Sequence, residues 1–286
     1  MPKLRVVIFD VEHGFCAFVR SPNGYGILID CGSGERFSPI KHIINHELDQ
    51  VLRFAGQPMA LMVVSHPHQD HLSDILNVIS YLHPAILSRN QCYDWGSLKQ
   101  TGGDYMLLDA YSQWQGRSVQ SVVNWPDWGM DVAIELGLSP EQAYSINPSN
   151  YVNNSSSCAM FKYANHKFFF PGDLEEDGWK VALQEERFRQ ALSGTDFFVA
   201  SHHGHSSGYC RDVYETMGRP LVNIVSAHSG DPSVESAYST NQCATGASVR
   251  GQNRYMVSTR LDGSIVIEVS ESGYWGIWTG SFPPNL

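Results

Sequence analysis

Between Val63 and Leu72 the sequence reads Val-Val-Ser-His66-Pro-His68-Gln-Asp70-His71-Leu. Three imidazoles and a carboxylate crowd the point where an apolar run gives way to an amphipathic one. If they served packing alone, each would need its own hydrogen-bond partner at a core edge. As ligands of divalent cations they fit together. His66 and His68, two apart on an extended segment, can converge on one ion, while Asp70 and His71 begin the next turn and face a second.

Two later segments end apolar runs in the same residue types. Phe168-Phe-Phe-Pro-Gly172-Asp173 closes on an acid, and Phe197-Phe-Val-Ala-Ser201-His202-His203-Gly204-His205-Ser206 closes on three histidines. An aspartate after Pro-Gly is commonly a turn or cap residue. Beside a histidine cluster it becomes a carboxylate able to bridge two ions. Two cations held close together ionise a water near neutral pH and neutralise an in-line transition state, the chemistry of ester hydrolysis. In this reading His66, His68, Asp70, His71, Asp173 and His202 hold the metal. Asp70 and Asp173 also orient the attacking water, and His203 is left to protonate the leaving oxygen. Spacing alone does not separate His202 from His203. His205, Ser206 and His228 are candidates for contact with an anionic substrate, although Ser206 equally suits a helix cap and His228 a packing role.

The surrounding pattern supplies elements to position these groups. Leu4–Phe9, Phe15–Val19 and Gly26–Ile29 have strand composition, with Ser21-Pro-Asn-Gly24 as a turn. Helical spacing is predicted over Ile40–Phe54 and Leu72–Leu82, with a short buried strand over Ala60–Val64 between them. A hairpin over Cys158–Tyr163 and Lys167–Phe170 precedes a helix over Glu175–Leu192. Strands follow at Phe197–Ala200, Leu221–Val225, Ser264–Val269 and Tyr274–Trp278. Alternating strands and helices predict an α/β layered domain, with strand ends gathering the three motifs at one edge. No repeat or linker divides residues 1–286, so one domain is expected. Its segment at about 88–150, with a helix over Tyr105–Gln115, reads as an aromatic-rich insertion, either packed on the domain or facing substrate. Trp95, with Tyr93, Trp125 or Trp128, could stack on bases there.

Six scattered cysteines without a CxxC pair, and an opening that runs straight into a strand, predict a reduced, cytoplasmic protein. No apolar run reaches the ~18 residues of a membrane span, so no membrane partner is expected. A net charge of −10 argues against a processive nuclease with a broad basic groove for duplex DNA. It does not oppose hydrolysis of smaller phosphodiesters, because bound cations supply local positive charge. Oligomeric state is not readable from the sequence.

With these residues in view, the chain resembles the metallo-β-lactamase superfamily. His66, His68, Asp70 and His71 match its HxHxDH motif, Asp173 its bridging aspartate and Ser201-His-His-Gly204 its last metal histidine. The likeness is closest to the nuclease-like domain of the DNA-uptake protein ComEC and its stand-alone relatives. Phe9-Asp-Val-Glu-His13-Gly14, Gly26-Ile-Leu-Ile-Asp30-Cys-Gly32, Asn153-Asn154-Ser155-Ser156 and Leu261-Asp262-Gly263-Ser264 follow that group's order. The resemblance implies a four-layer αβ/βα sandwich with two divalent ions, Zn²⁺ or Mn²⁺ with Mg²⁺ possible. It also implies a phosphodiesterase or nuclease acting on single-stranded or short nucleic acid, or on a nucleotide. The superfamily's third-motif histidine has no counterpart near Asn154, which leaves Asn154 or water in its place, with Asn154 open to substrate. His13, where the group commonly has Gln, is a second departure. Competing readings are hydrolysis of another small ester (a cyclic nucleotide, phosphorylcholine ester, lactone or thioester) and a metal-stabilised binding module without catalysis.

Overall fold

The computed structural model describes residues 2–101, 104–117, 124–228 and 231–282. The first strands are β1 (Lys3–Ile8), β2 (Ala17–Arg20), β3 (Gly26–Ile29), β4 (Leu61–Val63) and β5 (Ile86–Ser88). There follow β6 (Asp131–Leu136), β7 (Cys158–Tyr163), β8 (His166–Phe170), β9 (Phe197–Val199) and β10 (Val222–Val225). The last are β11 (Ala247–Val249), β12 (Gln252–Arg254), β13 (Met256–Ser258), β14 (Ser264–Ser270) and β15 (Trp275–Gly280).

Two mixed sheets form, in the orders β15-β14-β1-β2-β3-β4-β5 and β13-β10-β9-β8-β7-β6, with β11-β12 as a small ribbon. Alternation along the strands assigns the faces. Leu4, Val6 and Ile8 of β1 point into the core between the sheets with Phe168, Phe170, Phe197, Val199 and Ile224, while Val7 and Phe18 point outward. The outer face of the first sheet is covered by Ile40 and Ile43 of helix Pro39–His46 and by Leu108 and Tyr111 of helix Tyr105–Arg117. Phe169 and Phe198 on the other outer face pack under Trp179, Phe188 and Val213 of helices Glu176–Ala182, Glu186–Leu192 and Arg211–Met217. Helix, sheet, sheet, helix: the fold is the expected four-layer αβ/βα sandwich.

Three predicted helices are cut short or broken, and the first of them, expected over Ile40–Phe54, ends at His46. The helix expected over Leu72–Leu82 is broken into short turns, Gln69–Leu72, Ile75–Asn77 and Val78–Leu82. Asp74, between the first two, turns its carboxylate onto the start of helix Pro39–His46, where it accepts from Ile40 N at 3.1 Å and Ser38 Oγ at 2.6 Å. Capping a neighbour wins over continuing its own helix. The helix expected over Glu175–Leu192 is likewise divided at Leu183–Glu185. Within the segment at 88–150, β6 is the edge strand of the second sheet and helix Tyr105–Arg117 belongs to the outer layer, so both are structural parts of the sandwich. Ser118–Val123 lie outside the described residues. Among those described, no helix is long and apolar enough to cross a membrane.

Strands β3, β4 and β5 run parallel in one sheet, and β8, β9, β10 and β13 in the other. Their carboxyl ends bring Asp30, Ser65–His71, Asp173, Ser201–His203 and Ser226 to one edge of the sandwich, where open α/β sheets place their sites.

Candidate metal centre

Asp173 stands at the middle of this edge, 3% exposed. Its Oδ1 lies 3.4 Å from His71 Nε2, and its Oδ2 lies 3.4 Å from His203 Nε2 and 3.7 Å from His66 Nε2. Asp70, His71, Asp173 and His203 each offer one ligand atom, and these four atoms lie within 4.8 Å of one another. Inside this group, His203 Nε2 is 3.1 Å from Asp70 Oδ2 and 3.2 Å from His71 Nε2. A second, more open group shares Asp173. In it His66 Nε2 is 3.1 Å from His68 Nδ1, and His202 Nε2 is 4.0 Å from Asp173 Oδ2.

The backbone is bent to achieve this. Asp30, His202 and His203 have φ of 53°, 51° and 55°, the left-handed region that non-glycine residues rarely adopt and that costs about 1–3 kcal/mol each. Ser201 compensates by donating its hydroxyl to the Gly172 and Leu174 carbonyls, and His202 N–H donates to Gly172 O, so the loop is stitched to the Asp173 turn.

Each ring is fixed by its other nitrogen. His71 Nδ1 meets Asp30 Oδ2 at 2.8 Å, His203 Nδ1 meets the Ser226 carbonyl at 3.2 Å, and His66 Nδ1 faces Ser65 Oγ at 3.1 Å. His202 Nδ1 lies 2.9 Å from Ser207 Oγ. In all four, Nε2 is left facing the site, the arrangement by which metal-binding imidazoles are held in one tautomer. His68 faces the group through Nδ1 instead.

The charge balance suits a cation. Among the described residues, the ion-pair partners of Asp70 and Asp173 are all imidazoles. Burial favours the neutral acid of Asp173, but the facing His203, His71 and His66 hold it well below the usual carboxylate range. Burial opposes charge on His203 too, yet Asp173 and Asp70 push it up to about 10, and His71 is raised likewise. The polypeptide alone balances these buried carboxylates with protons on imidazoles. A divalent ion among the same nitrogen and oxygen donors supplies that positive charge directly, so the residues fit the ions the sequence implies.

The remaining expected site residues are dispersed. His205 accepts from Ser207 N through its own Nδ1 and lies beside His202, with ring centroids 5.3 Å apart. Ser206 is exposed beside it, and His228 is exposed on the side of Asp10. Asn154 is fully buried and accepts from Glu175 N at 3.0 Å, a structural contact rather than a surface for substrate. Trp95 packs edge-on against Tyr93 and Tyr111. The aromatic wall drawn from Trp125 and Trp128 is corrected. Trp128 is buried against Tyr25, which precedes β3, whereas Asp30, at the site, follows the same strand, so the two tryptophans sit at the opposite end of the sheet.

Three residues near the centre escape sequence reasoning: Asp30, Ser65 and Glu175. Asp30 ends the buried strand Gly26–Ile29 in an acid, as Asp173 follows β8, and that shared pattern is the signal that could have found it. His13 is exposed at the mouth, with Nε2 3.6 Å from Asp70 Oδ2.

The chain matches no protein-family model and no curated protein. Solved structures similar to it include the metallo-beta-lactamase fold protein YhfI from Bacillus subtilis, 12% identical, covering 96% of this chain and 100% of that one at a TM-score of 0.44. An isothiocyanate hydrolase from Delia radicum gut bacteria is 10% identical, covering 97% of this chain and 99% of that one at a TM-score of 0.41. Zn(2+)-bound PqqB from Methylobacterium extorquens is 12% identical, covering 68% and 71% at a TM-score of 0.35.

Proposed function

We propose that this chain is a metal-dependent hydrolase of the metallo-β-lactamase type that cleaves phosphodiesters, in single-stranded or short nucleic acid or in nucleotides. The observation that carries the reading is the bridging position of Asp173 between two groups of imidazoles. His66 and His68 serve one cation position, and Asp70, His71 and His203 serve the other. This assigns His203, rather than His202, the role of last metal histidine, because its Nε2 lies among Asp70, His71 and Asp173. The imidazole-rich donor set favours Zn²⁺ over Mn²⁺ or Mg²⁺.

Two divalent cations, when bound, supply Lewis acidity, a nucleophile ionised near neutral pH and charge neutralisation in the transition state. The chain's own residues do the rest. Asp30, Ser226 and Ser65 fix the imidazole tautomers, and Asp173 sets the spacing of the two positions. His13 is exposed beside Asp70, and in this reading it meets an oxygen of the substrate. His205 and His228 add imidazoles nearer the surface. The phosphodiester class is supported by the sequence resemblance and by the imidazoles of His13 and His205 beside the two groups.

The test is hydrolysis of labelled single-stranded DNA and of bis(p-nitrophenyl) phosphate by protein reconstituted with Zn²⁺ or Mn²⁺. Cleavage by the wild type and none by His68→Ala or Asp173→Asn is expected. Metal-loaded wild type that leaves both substrates intact and opens a lactone or thioester would overturn the phosphodiester assignment.

A further inference from the structure

We infer that Glu175 positions His202 to serve as the third imidazole of the cation position that His66 and His68 begin. The inference rests on the two-cation reading above and adds to it what replaces the histidine missing near Asn154.

The sequence puts an Asn-Asn element where the third imidazole is expected, and amide groups are poor substitutes for imidazole toward Zn²⁺. The structure gives these asparagines another task. Asn150 Nδ2 donates to Glu175 Oε2 at 2.5 Å, and Asn153 Nδ2 donates to Glu175 Oε1 at 2.9 Å. Asn154 Oδ1 accepts from the Glu175 backbone N–H at 3.0 Å. Three asparagines of one short helical segment therefore seat a single glutamate, whose Oε1 lies 3.5 Å from His202 Nδ1.

The His202 ring is aimed at the shared aspartate. Glu175 and Ser207 Oγ occupy the Nδ1 side of the ring, which turns Nε2 toward Asp173 Oδ2 at 4.0 Å. Asp173 Oδ2 also faces His66 Nε2 at 3.7 Å, besides His203 Nε2 at 3.4 Å, so His202 and His66 meet the same shared oxygen. The left-handed backbone at both His202 and His203 lets two adjacent rings enter the site, one for each cation position. Packing leaves little slack: a Cβ on Gly208 would meet Ser201 O at 2.4 Å and His202 Cβ at 3.0 Å. Ser207 Oγ takes the hydrogen bond of Nδ1, and the Glu175 carboxylate 3.5 Å away adds negative charge beside the ring, which raises its basicity as a ligand.

The experiment is titration of the metal-free protein with Zn²⁺ by calorimetry, for wild type, Glu175→Gln, His202→Ala and the double variant. Co²⁺ absorption provides a ligand-field readout, and near-UV circular dichroism checks the fold. Wild type is expected to take two equivalents. Glu175→Gln should weaken one of them about 10–100-fold and leave the other unchanged. His202→Ala should weaken the same equivalent at least as much, and adding Glu175→Gln to it should cost nothing further. Glu175→Asp, which keeps the charge but shortens the reach, should recover part of the loss, and it takes the place of Glu175→Gln if that variant fails to fold. Unchanged binding in Glu175→Gln or in His202→Ala overturns the inference, as does an equal loss from Glu175→Gln in the His202→Ala background. A wild type that takes fewer than two equivalents overturns the two-cation reading, and the inference with it.

Discussion

Asp30 Oδ2 and His71 Nδ1 lie 2.8 Å apart, both fully buried, at the joint between the first sheet and the metal centre. The same carboxylate accepts from Ser65 Oγ at 2.6 Å and, through Oδ1, from Ser65 N–H at 2.7 Å. Three donors converge on one acid, and the only imidazole nitrogen it leaves free is the one that faces Asp173. Asp30→Asn keeps the shape and loses the charge. It is expected to lower divalent-ion affinity or turnover about 10–100-fold without unfolding the chain, read by metal titration and steady-state kinetics.

Asp173→Asn should be more severe than His68→Ala in a specific way. Asp173 touches both groups of imidazoles, whereas His68 touches one. Metal analysis after dialysis should find Asp173→Asn depleted at both positions and His68→Ala at one, with hydrolysis at background in each. Two equivalents retained by Asp173→Asn would contradict the bridging assignment.

Gly14 and Gly32 clamp the backbone of Asp70. A Cβ at either would stand 2.2 Å from the Asp70 carbonyl oxygen, and Gly14 has φ of 121° besides. Alanine at Gly14 should therefore destabilise by about 1–3 kcal/mol, as overpacking does. Each kcal/mol lowers Tm by about 2–4 °C in a chain of this size. Metal affinity should fall as well, since Asp70 is pushed out of its group; thermal melts with and without Zn²⁺ separate the two effects.

Trp128→Ala should lower Tm and leave KM unchanged. The ring is buried against Tyr25, at the end of the sheet away from the site. Truncating a buried aromatic costs about 3–5 kcal/mol. A raised KM with unaltered stability would return Trp128 to the substrate-facing surface.

His42 gives the expected pH response of the metal-free fold. Burial, with help from His46, lowers it to about 4 from 6.5. The unfolded chain therefore takes up a proton at higher pH than the folded one. The stability that a neutral His42 contributes is complete above about pH 6.5 and is lost progressively as pH falls toward 4. The difference in urea midpoint between wild type and His42→Phe should change across that window and stay flat above it.

Much of the centre was legible because its chemistry is local. His66, His68, Asp70 and His71 fall within six residues, and Asp173 follows a run of three phenylalanines that alternation splits between two cores. The order of His202 and His203 was not legible, since neither follows strand or helix periodicity; both take the left-handed backbone, and His202 N–H bonds Gly172 O, 30 residues earlier in sequence. Glu175 was hidden for the same reason. Its role depends on Asn150 and Asn153, which meet it only in the fold. Trp125 and Trp128 misled because an aromatic residue's type does not record which end of a sheet it covers.

The two halves of the centre come from different sheets. His66, His68, Asp70 and His71 follow β4, whereas Asp173, His202 and His203 follow β8 and β9. Neither sheet carries a complete donor set alone, so capture of a cation there would report that the two have docked. Occupied positions would then act as rivets across the seam, adding about 2.7 kcal/mol when free ion stands at 100 times its Kd. Chelation would be felt first as a loosening between layers whose individual hydrogen-bond ladders stay whole.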